Sequence, residues 1–434
     1  MRTFTATSLG FSQRRQSILI FLFSLFFQLL VIGDFLDNSV LSPYVPSAAD
    51  AADYATRAQS WQSDGFNKAF GDAYRMPGYP LVILIMQVIL PGAPYLGVRI
   101  IQMLALACCA VIIKVVLEKF TSTSASILGS VLFVILPIWH FVPLLLAECL
   151  TAVVVVGVIL SLSQVGDNGI TWRQVVTLAT LIVIGTCLKP NNLLLLIPVA
   201  TFLLIKLRTK FMKKTIGLFL TTFFLISPWI AFTSNMQPGF LGLTTNTGAN
   251  LYTGSGMVLS YDESVLARSA VRWKVDPLSN PNDVFQNPPN LSTAQQNSAL
   301  IKKSIQIWKK RVMNQIGFGL DKALIALGIK SNSLVDYIFG LFALLTLLAG
   351  ATLLKTKELR PWGSATLATI GILSLQAAVF QADRRFVIPV LYPFSVICIG
   401  LALNLFASKI PGNVRILKFK RALRIGRSST SAEA

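Results

Sequence analysis

Residues 97–117 read GVRIIQMLALACCAVIIKVVL, an apolar stretch whose only charged residues are Arg99 near its start and Lys114 near its end. A helix of about 20 mostly apolar residues is long enough to cross the ~30 Å hydrocarbon core of a bilayer. The composition of the whole chain agrees, with 54% hydrophobic residues, 13% charged residues and a mean hydropathy of +0.65. A chain this apolar is expected to be an integral membrane protein.

Similar apolar stretches recur along the chain, without the alternation of apolar and polar residues that marks a membrane β-barrel. Because backbone groups in lipid must be hydrogen-bonded internally, we predict that these stretches are helices. The sequence thus predicts an all-α polytopic membrane protein, a single integral membrane domain over residues 1–434 with about ten transmembrane helices. The predicted spans are 17–36, 97–117, 125–141, 144–163, 173–188, 191–206, 214–232, 334–353, 361–380 and 386–407.

One apolar segment does not fit as a span. Residues 79–92 are too few to cross the bilayer comfortably. Treating them as a span would also place every later basic loop on the opposite side of the membrane. We therefore predict a re-entrant or interfacial helix on the outer face.

The basic residues fall mainly on one side of the predicted spans. That side carries more than half of the 38 Lys and Arg residues, and its acidic residues are Glu118, Asp167, Glu358 and Glu433. The positive-inside rule makes this side cytoplasmic. We therefore predict that both termini are cytoplasmic, with a basic cytoplasmic tail at about 408–434. The short loops and the lack of a large soluble domain favour a multi-pass protein of the plasma (inner) membrane. The net charge of +20 reflects this topology rather than nucleic-acid binding, which needs basic groups clustered on one folded surface.

Two outer loops are long enough to carry function, at about 37–96 and about 233–333. The first contains several acids and cations, among which Asp53 is expected to be simply solvated. In the second, apolar residues recur at helical spacing from about residue 292 to Ile316, which predicts one amphipathic helix on the outer membrane surface. The lysines of this helix either bind lipid phosphate or only extend to the membrane interface, and the sequence leaves both open.

An ordered set of short motifs runs through residues 17–407, and the predicted topology places all of them on the outer face. In chain order they are Asp50-x-x-x-Tyr54-x-x-x-Ala58, Arg75-Met76-Pro77-Gly78-Tyr79-Pro80, Arg99, Leu146-Ala147-Glu148, Lys189-Pro190, Pro228-Trp229, Asn250-Leu251-Tyr252-Thr253-Gly254 and Arg385-Phe386-Val387-Ile388-Pro389. Their order resembles that of the GT-C superfamily of polytopic glycosyltransferases, in the branch related to protein O-mannosyltransferases and aminoarabinose transferases. The resemblance implies a GT-C-like fold.

The resemblance also implies an activity, namely transfer of a sugar from a polyprenyl-phosphate donor to a lipid, glycan or protein acceptor on the non-cytoplasmic face, with inversion. Asp50 would be the catalytic base, with a pKa raised by partial burial. Glu148, the second candidate catalytic residue, would orient the acceptor or hold a metal. The cations expected to bind the donor phosphate are Arg75, Lys189 and Arg385. The expected substrate-loop residues are Tyr54, Tyr79, Asn250 and Tyr252.

The remaining composition indicates no cofactor. The chain has one histidine and five cysteines, without the Cys/His spacing of a metal site, although a divalent metal remains possible. Two other classes stay open: a polytopic transporter or flippase for lipid-linked saccharides, and a non-catalytic membrane assembly subunit. A transporter is expected to carry charged residues within its spans, so the nearly uncharged spans favour the enzyme. Arg75 could also be an interfacial anchor, and Lys189 could extend to the interface.

Overall fold

The computed structural model describes residues 11–35, 49–166, 169–208, 211–258, 263–275, 277–278, 291–329, 334–380 and 384–408. This part of the chain is almost entirely helical. Its helices are α1 (Phe11–Phe35), α2 (Ala49–Asp64), α3 (Phe66–Phe70), α4 (Gly78–Ile89), α5 (Pro94–Glu118), α6 (Thr123–Ile135), α7 (Glu148–Leu162), α8 (Trp172–Leu188), α9 (Leu196–Leu207), α10 (Phe211–Met236), α11 (Thr247–Gly254), α12 (Glu263–Arg272), α13 (Thr293–Lys310), α14 (Val312–Ala326), α15 (Leu334–Leu354), α16 (Arg360–Val379) and α17 (Ile388–Ala407). The two-residue strands β1 (Met257–Val258) and β2 (Pro277–Leu278) pair in parallel. The predicted basic tail lies outside the described residues beyond Ser408.

The predicted fold class, an all-α polytopic membrane protein, is confirmed. Among the described residues, eight helical stretches are long and apolar enough to cross a membrane. They are Ser12–Val31, Pro94–Glu118, Thr123–Phe141, Pro190–Leu207, Met212–Met236, Tyr337–Leu354, Arg360–Val379 and Ile388–Ala407. The other two predicted spans, 144–163 and 173–188, correspond to α7 and α8, apolar helices of 15 and 17 residues.

The basic loops predicted to share one side of the membrane meet at one end of the helix bundle. The Lys119 ammonium donates to the Ser163 hydroxyl at 2.9 Å, which joins the end of α5 to the end of α7. The Trp362 ring at the start of α16 packs edge-on against Phe202 near the end of α9. The charge pattern thus grouped these loops correctly.

The short apolar helix α4 begins unusually close to its neighbour. It has 12 residues and is about 18 Å long, too short to cross the hydrocarbon core. A Cβ atom on Gly78 would lie 2.6 Å from the backbone carbonyl of Cys187 at the end of α8. Since real Cβ atoms do not approach backbone so closely, only glycine allows α4 to start here. This contact brings the Arg75–Pro80 motif against the segment that leads to Lys189.

We expect Gly78→Ala to destabilise the protein and to displace α4 from α8. Overpacking of this kind costs roughly 1–3 kcal/mol, which is visible as a lower melting temperature in detergent or nanodiscs. Gly92→Ala is the matched control, because nothing lies within 4 Å of a Cβ at that position. Equal melting temperatures for the two variants would contradict the close packing.

The second outer segment forms a layer that is tied to the first. The Thr245 amide donates to the Ala73 carbonyl at 2.8 Å, and the Gln237 side chain donates to the Gly71 carbonyl at 2.7 Å. The predicted amphipathic helix is present as α13, whose first turn is closed by a capping box between Ser292 and Gln295. The helix ends at Lys310, and α14 begins after a break at Arg311, so the single helix expected to continue to residue 316 is in fact two.

Candidate active site

The first outer segment presents its charged groups on one face of α2. Asp53 and Tyr54 follow Asp50 by three and four residues, and Arg57 follows Asp53 by four, the spacing that brings side chains onto one side of a helix. Arg75 reaches this face from the loop before α4, and Arg385 reaches it from the turn before α17. Elements distant in sequence therefore meet at Asp50, at the end of the bundle opposite the predicted cytoplasmic loops.

Asp50 is held between two arginines, one on each carboxylate oxygen. Arg75 donates from Nη2 to Oδ1 at 2.5 Å, and Arg385 donates from Nη1 to Oδ2 at 2.9 Å. The Asp50 and Arg75 side chains are 27% and 19% exposed, so the pair is only partly open to solvent. The structure thus brings together the candidate base and two of the three candidate phosphate-binding cations.

The ion chain continues from Arg75 along α2. Arg75 Nε donates to Asp53 at 2.7 Å, and Arg57 Nε donates to the other oxygen of Asp53 at 3.1 Å. Arg57 also donates hydrogen bonds to both carboxylate oxygens of Asp72, at 2.9 and 2.7 Å. The expectation that Asp53 is simply solvated is therefore wrong, because its carboxylate bridges two guanidinium groups. We call Arg385, Asp50, Arg75, Asp53, Arg57 and Asp72 the ion chain.

Aromatic rings fix the direction of Arg75. Its guanidinium carbon lies 5.4 Å from the Tyr54 ring centroid and 5.1 Å from the Tyr74 ring centroid. An arginine between two rings keeps little rotational freedom, and the ring faces attract its charge. Burial raises the pKa of Tyr54 above its ordinary value, so its hydroxyl stays protonated at neutral pH.

Glu148 and Lys189 form a second ion pair beside the ion chain. Lys189 Nζ donates to Glu148 Oε1 at 2.7 Å and to the backbone carbonyl of Arg385 at 3.3 Å. The same ammonium lies 4.2 Å from the Phe386 ring centroid. Glu148 is the first residue of α7 and is 3% exposed, so this pair is more buried than Asp50. Asp383, which precedes this turn, lies outside the described residues.

Positive and negative charges balance within this constellation. The ion chain alternates three guanidinium groups with three carboxylates, and the second pair adds one charge of each sign. An anion that enters must therefore compete with a carboxylate for an arginine. Arg385 is the most exposed of the three arginines, with 32% of its side chain exposed, and Arg75 keeps its hydrogen bond to Asp53 when Asp50 withdraws. The two arginines of Asp50 are therefore the ones open to this competition.

The resting ionisation of Asp50 differs from the sequence-based expectation. Burial raises the pKa of its carboxyl, as expected, but the charges of Arg75, Arg385 and Lys189 together with the Arg75 hydrogen bond outweigh burial. The net pKa is therefore lowered, and the expectation of a raised value is wrong. Asp50 is fully ionised at neutral pH and is a weak base while both arginines hold it.

Tyr79 lies below the ion chain in a buried layer. Its ring is 4.9 Å from the Tyr54 ring, and its hydroxyl accepts a 2.6 Å bond from Gln102 on α5. Arg99, which opens α5, is 1% exposed and donates to the Pro143 carbonyl at 3.2 Å. Tyr79 thus supports the site from beneath, and its hydroxyl already has a partner.

Asn250 and Tyr252 do not join the ion chain. Both are on α11, which packs against α13 in the outer layer. Tyr252 is 1% exposed, and Lys303 of α13 lies over its ring at 5.3 Å from the centroid. Their motif ends at Gly254, where a Cβ would lie 2.5 Å from the Val379 carbonyl, so the glycine lets α11 meet the end of α16.

Sequence reasoning missed several residues of this constellation. Arg57, Asp72, Tyr74 and Gln102 were not singled out. Tyr74 and Gln102 contact the candidate residues Arg75 and Tyr79, whereas Arg57 and Asp72 join the ion chain through Asp53. The spacing of Asp50, Asp53 and Arg57 within one helix was the available signal for the first of them. Among the described residues, no group of three His, Cys, Asp or Glu side chains is placed to hold a metal ion.

Comparison with known proteins adds one distant likeness. No protein-family model and no curated protein matches the chain. Among solved structures the chain is similar to the archaeal oligosaccharyltransferase AglB from Archaeoglobus fulgidus, in complex with an inhibitory peptide and a dolichol-phosphate. The TM-score is 0.49 and the sequence identity 12%, over 96% of this chain and 52% of that chain. This chain thus spans about half the length of that protein, and the likeness carries no argument about function.

Proposed function

We propose that this protein is a membrane glycosyltransferase that moves a sugar from a polyprenyl-phosphate donor to an acceptor hydroxyl, with inversion. The observation that supports it most is the position of Asp50 between Arg75 and Arg385, at one end of an apolar helix bundle. The ordered motifs that resemble GT-C enzymes supply most of these residues. The charge pattern supports a position of this end on the non-cytoplasmic face of the membrane.

The chemistry needs a base and an anion clamp in close proximity. Asp50 would take the proton of the acceptor hydroxyl while that oxygen attacks the anomeric carbon. The bond from the anomeric carbon to the phosphate oxygen would break on the opposite side, and the phosphate would leave with the electron pair. Arginines would stabilise the charge that develops on the phosphate through paired hydrogen bonds.

Donor binding itself would activate the base. The lipid phosphate competes with Asp50 for Arg75 and Arg385, because both guanidinium groups are already engaged. Once both guanidinium groups bind the phosphate, their charges no longer offset the effect of burial on Asp50. The pKa of Asp50 then rises toward that of a useful base. The acid therefore stays ionised and inert without donor, and becomes basic only with donor in place.

The Glu148–Lys189 pair would act next to this centre. Lys189 contributes to the electrostatic environment of Asp50 and adds a cation close to the clamp. Glu148, held by Lys189, would accept a hydrogen bond from the acceptor and orient its hydroxyl. A transporter would need charged groups along its spans, whereas this constellation gathers at one end of the bundle.

The direct test uses the purified protein in nanodiscs with a panel of radiolabelled polyprenyl-phosphate sugars and a lipid extract as acceptor pool. We expect one donor to be consumed, with release of free polyprenyl phosphate and appearance of label in an acceptor. Heat-denatured protein is the control for spontaneous hydrolysis. Folded protein that neither binds nor consumes any donor would exclude the proposed activity and favour the assembly-subunit alternative.

A further inference from the structure

A small cavity on the outer layer is bordered by basic and amide side chains, together with Val275 and Ile307. It has a volume of about 230 Å³ and lies between the end of α12, the second half of α13 and the start of α14. Four of its lining side chains are basic, and none of the described lining residues is acidic. These cations are Lys274, Lys303, Lys310 and Arg311.

The walls of this cavity are held by specific packing. The Trp273 ring of the α12 end lies against Gly317 of α14, where a Cβ would approach ring atoms to 2.4 Å. The Trp273 indole also donates to Asp321 at 2.9 Å, and the Ser269 hydroxyl donates to the same carboxylate oxygen. Arg311 donates to the Lys274 carbonyl at 2.5 Å across the corner. The cavity is therefore a built feature of the α12–α13–α14 corner.

Gln315 adds a hydrogen-bond acceptor that lacks a protein partner. This residue lines the cavity and is 3% exposed. Its Nε2 donates to the Ser255 carbonyl at 2.8 Å, while its buried Oε1 has no partner. Gln315 thus belongs to the wall of the cavity, and the side-chain amides of Gln306 and Asn314 are the groups that can accept a hydrogen bond from a ligand hydroxyl. Lysine and arginine side chains only donate hydrogen bonds, so a ligand that contacts both the cations and the amides carries both an anionic group and hydroxyl groups.

The start of α14 strengthens the preference for an anion. The Arg311–Val312 corner exposes the first backbone N–H groups of this 15-residue helix, which have no intrahelical acceptor. Such helix ends favour negative charge. The side-chain amides of Gln306 and Asn314 complete the lining with groups that both donate and accept.

We infer that this cavity binds an anionic saccharide unit, a sugar that carries a phosphate or a carboxylate. Drug-sized ligands occupy about 300–1,000 Å³, so a cavity of about 230 Å³ suits a single sugar-sized group. An apolar lipid chain would instead prefer the second cavity on the other side of α13, of about 320 Å³, lined by Leu251, Ile305 and Trp308. The inference rests on the proposed function, in which the anionic sugar belongs to the acceptor.

Tyr252 connects this cavity with the motif residues. Lys303 lines the cavity and also lies over the Tyr252 ring. Tyr252, a candidate substrate-loop residue that lies away from the ion chain, would thus hold the Lys303 ammonium in place to bind the acceptor. Asn250 is on the same helix and has no comparable contact with the cavity among the described interactions.

The test measures binding of small probes to the protein in nanodiscs of zwitterionic lipid. The probes are mannose 6-phosphate, galacturonic acid, mannose and inorganic phosphate, followed by ligand-observed NMR. We expect at least one anionic sugar to bind about tenfold more tightly than mannose and than phosphate, which corresponds to about 1.4 kcal/mol. The first two probes distinguish a phosphorylated from a carboxylated ligand.

Paired variants locate the binding. We expect Lys303→Gln/Lys310→Gln to weaken binding of the preferred probe about tenfold or more, since two exposed lysines can be replaced without disturbing the fold. Lys302→Gln/Lys309→Gln removes the same charge from the same helix outside this cavity and should change binding less than twofold. Equal losses in both variants, binding only with anionic lipid in the nanodisc, or no binding at all would overturn the inference.

The same binding experiment on the Asp50→Asn protein separates the two proposals. The anionic sugar should bind this variant as it binds the wild type, because the cavity does not include the ion chain. Transfer in the wild type without sugar binding at the cavity would refute the proposed saccharide site and leave the proposed transferase function standing. Sugar binding without any donor turnover in the wild type would refute the proposed function and leave an anionic-saccharide site.

Discussion

Replacing Asp50 by Asn is expected to abolish transfer while donor binding becomes tighter. Loss of a general base typically lowers the rate about 10²–10⁴-fold. Binding should improve because Arg75 and Arg385 no longer have to leave a carboxylate before they take up the lipid phosphate. A variant that merely misfolds would lose both transfer and donor binding. Lost transfer together with tighter donor binding therefore identifies Asp50 as the base. The measurement is donor turnover together with donor affinity in nanodiscs.

Asp64→Asn provides the matched control for Asp50. Asp64 is the last residue of the same helix α2 and is exposed to solvent. This variant removes the same charge and should leave turnover and donor affinity unchanged. Retained turnover in Asp50→Asn would remove Asp50 from the mechanism, and a loss of donor binding in the same variant would mean that Asp50 holds the donor rather than competes with it.

The helices were predictable because the apolar runs that lipid requires are long. The spans at 97–117 and 386–407 correspond closely to α5 and α17. The start of α13 was also predictable, since a polar loop gives way to helical periodicity near Ser292. The break at Arg311 was not, because the helical spacing of apolar residues continues across it. At this corner Trp273 packs against Gly317, which is distant in sequence. Tertiary contacts of this kind leave no local pattern.

The candidate site could be predicted only in part. The motifs indicated Asp50, Arg75 and Arg385 individually, and the fold places them in contact although Asp50 and Arg385 are 335 positions apart. Asp53 was misjudged because the spacing within α2 was not used, although it shares a helix face with Asp50. The pKa of Asp50 was misjudged for another reason. Its sign depends on the balance between burial and the distances to two arginines, which only the folded structure sets.

Replacing Arg75 by Ala is expected to lower kcat/KM by about 10²–10³, the usual loss for one group that stabilises a developing anion. Arg75 also holds Asp50 and Asp53 through two different nitrogens. A lysine offers one point charge and cannot reproduce this geometry, so Arg75→Lys should recover only part of the loss. Lys68→Ala, which removes an exposed cation from the same outer segment, is the control and should retain full activity.

The pH dependence of these variants tests how Arg75 acts. In the wild type the pKa of Asp50 is below its ordinary value of 3.8, so the base is ionised throughout pH 5–8 and kcat/KM should show no acid limb from it there. In Arg75→Ala, burial still raises this pKa while the largest opposing charge is gone. The acid limb of kcat/KM should therefore move to higher pH, with Arg75→Lys in between. If kcat/KM fell by the same factor at every pH, Arg75 would bind phosphate without controlling the base, and the proposed activation of Asp50 by donor binding would be wrong.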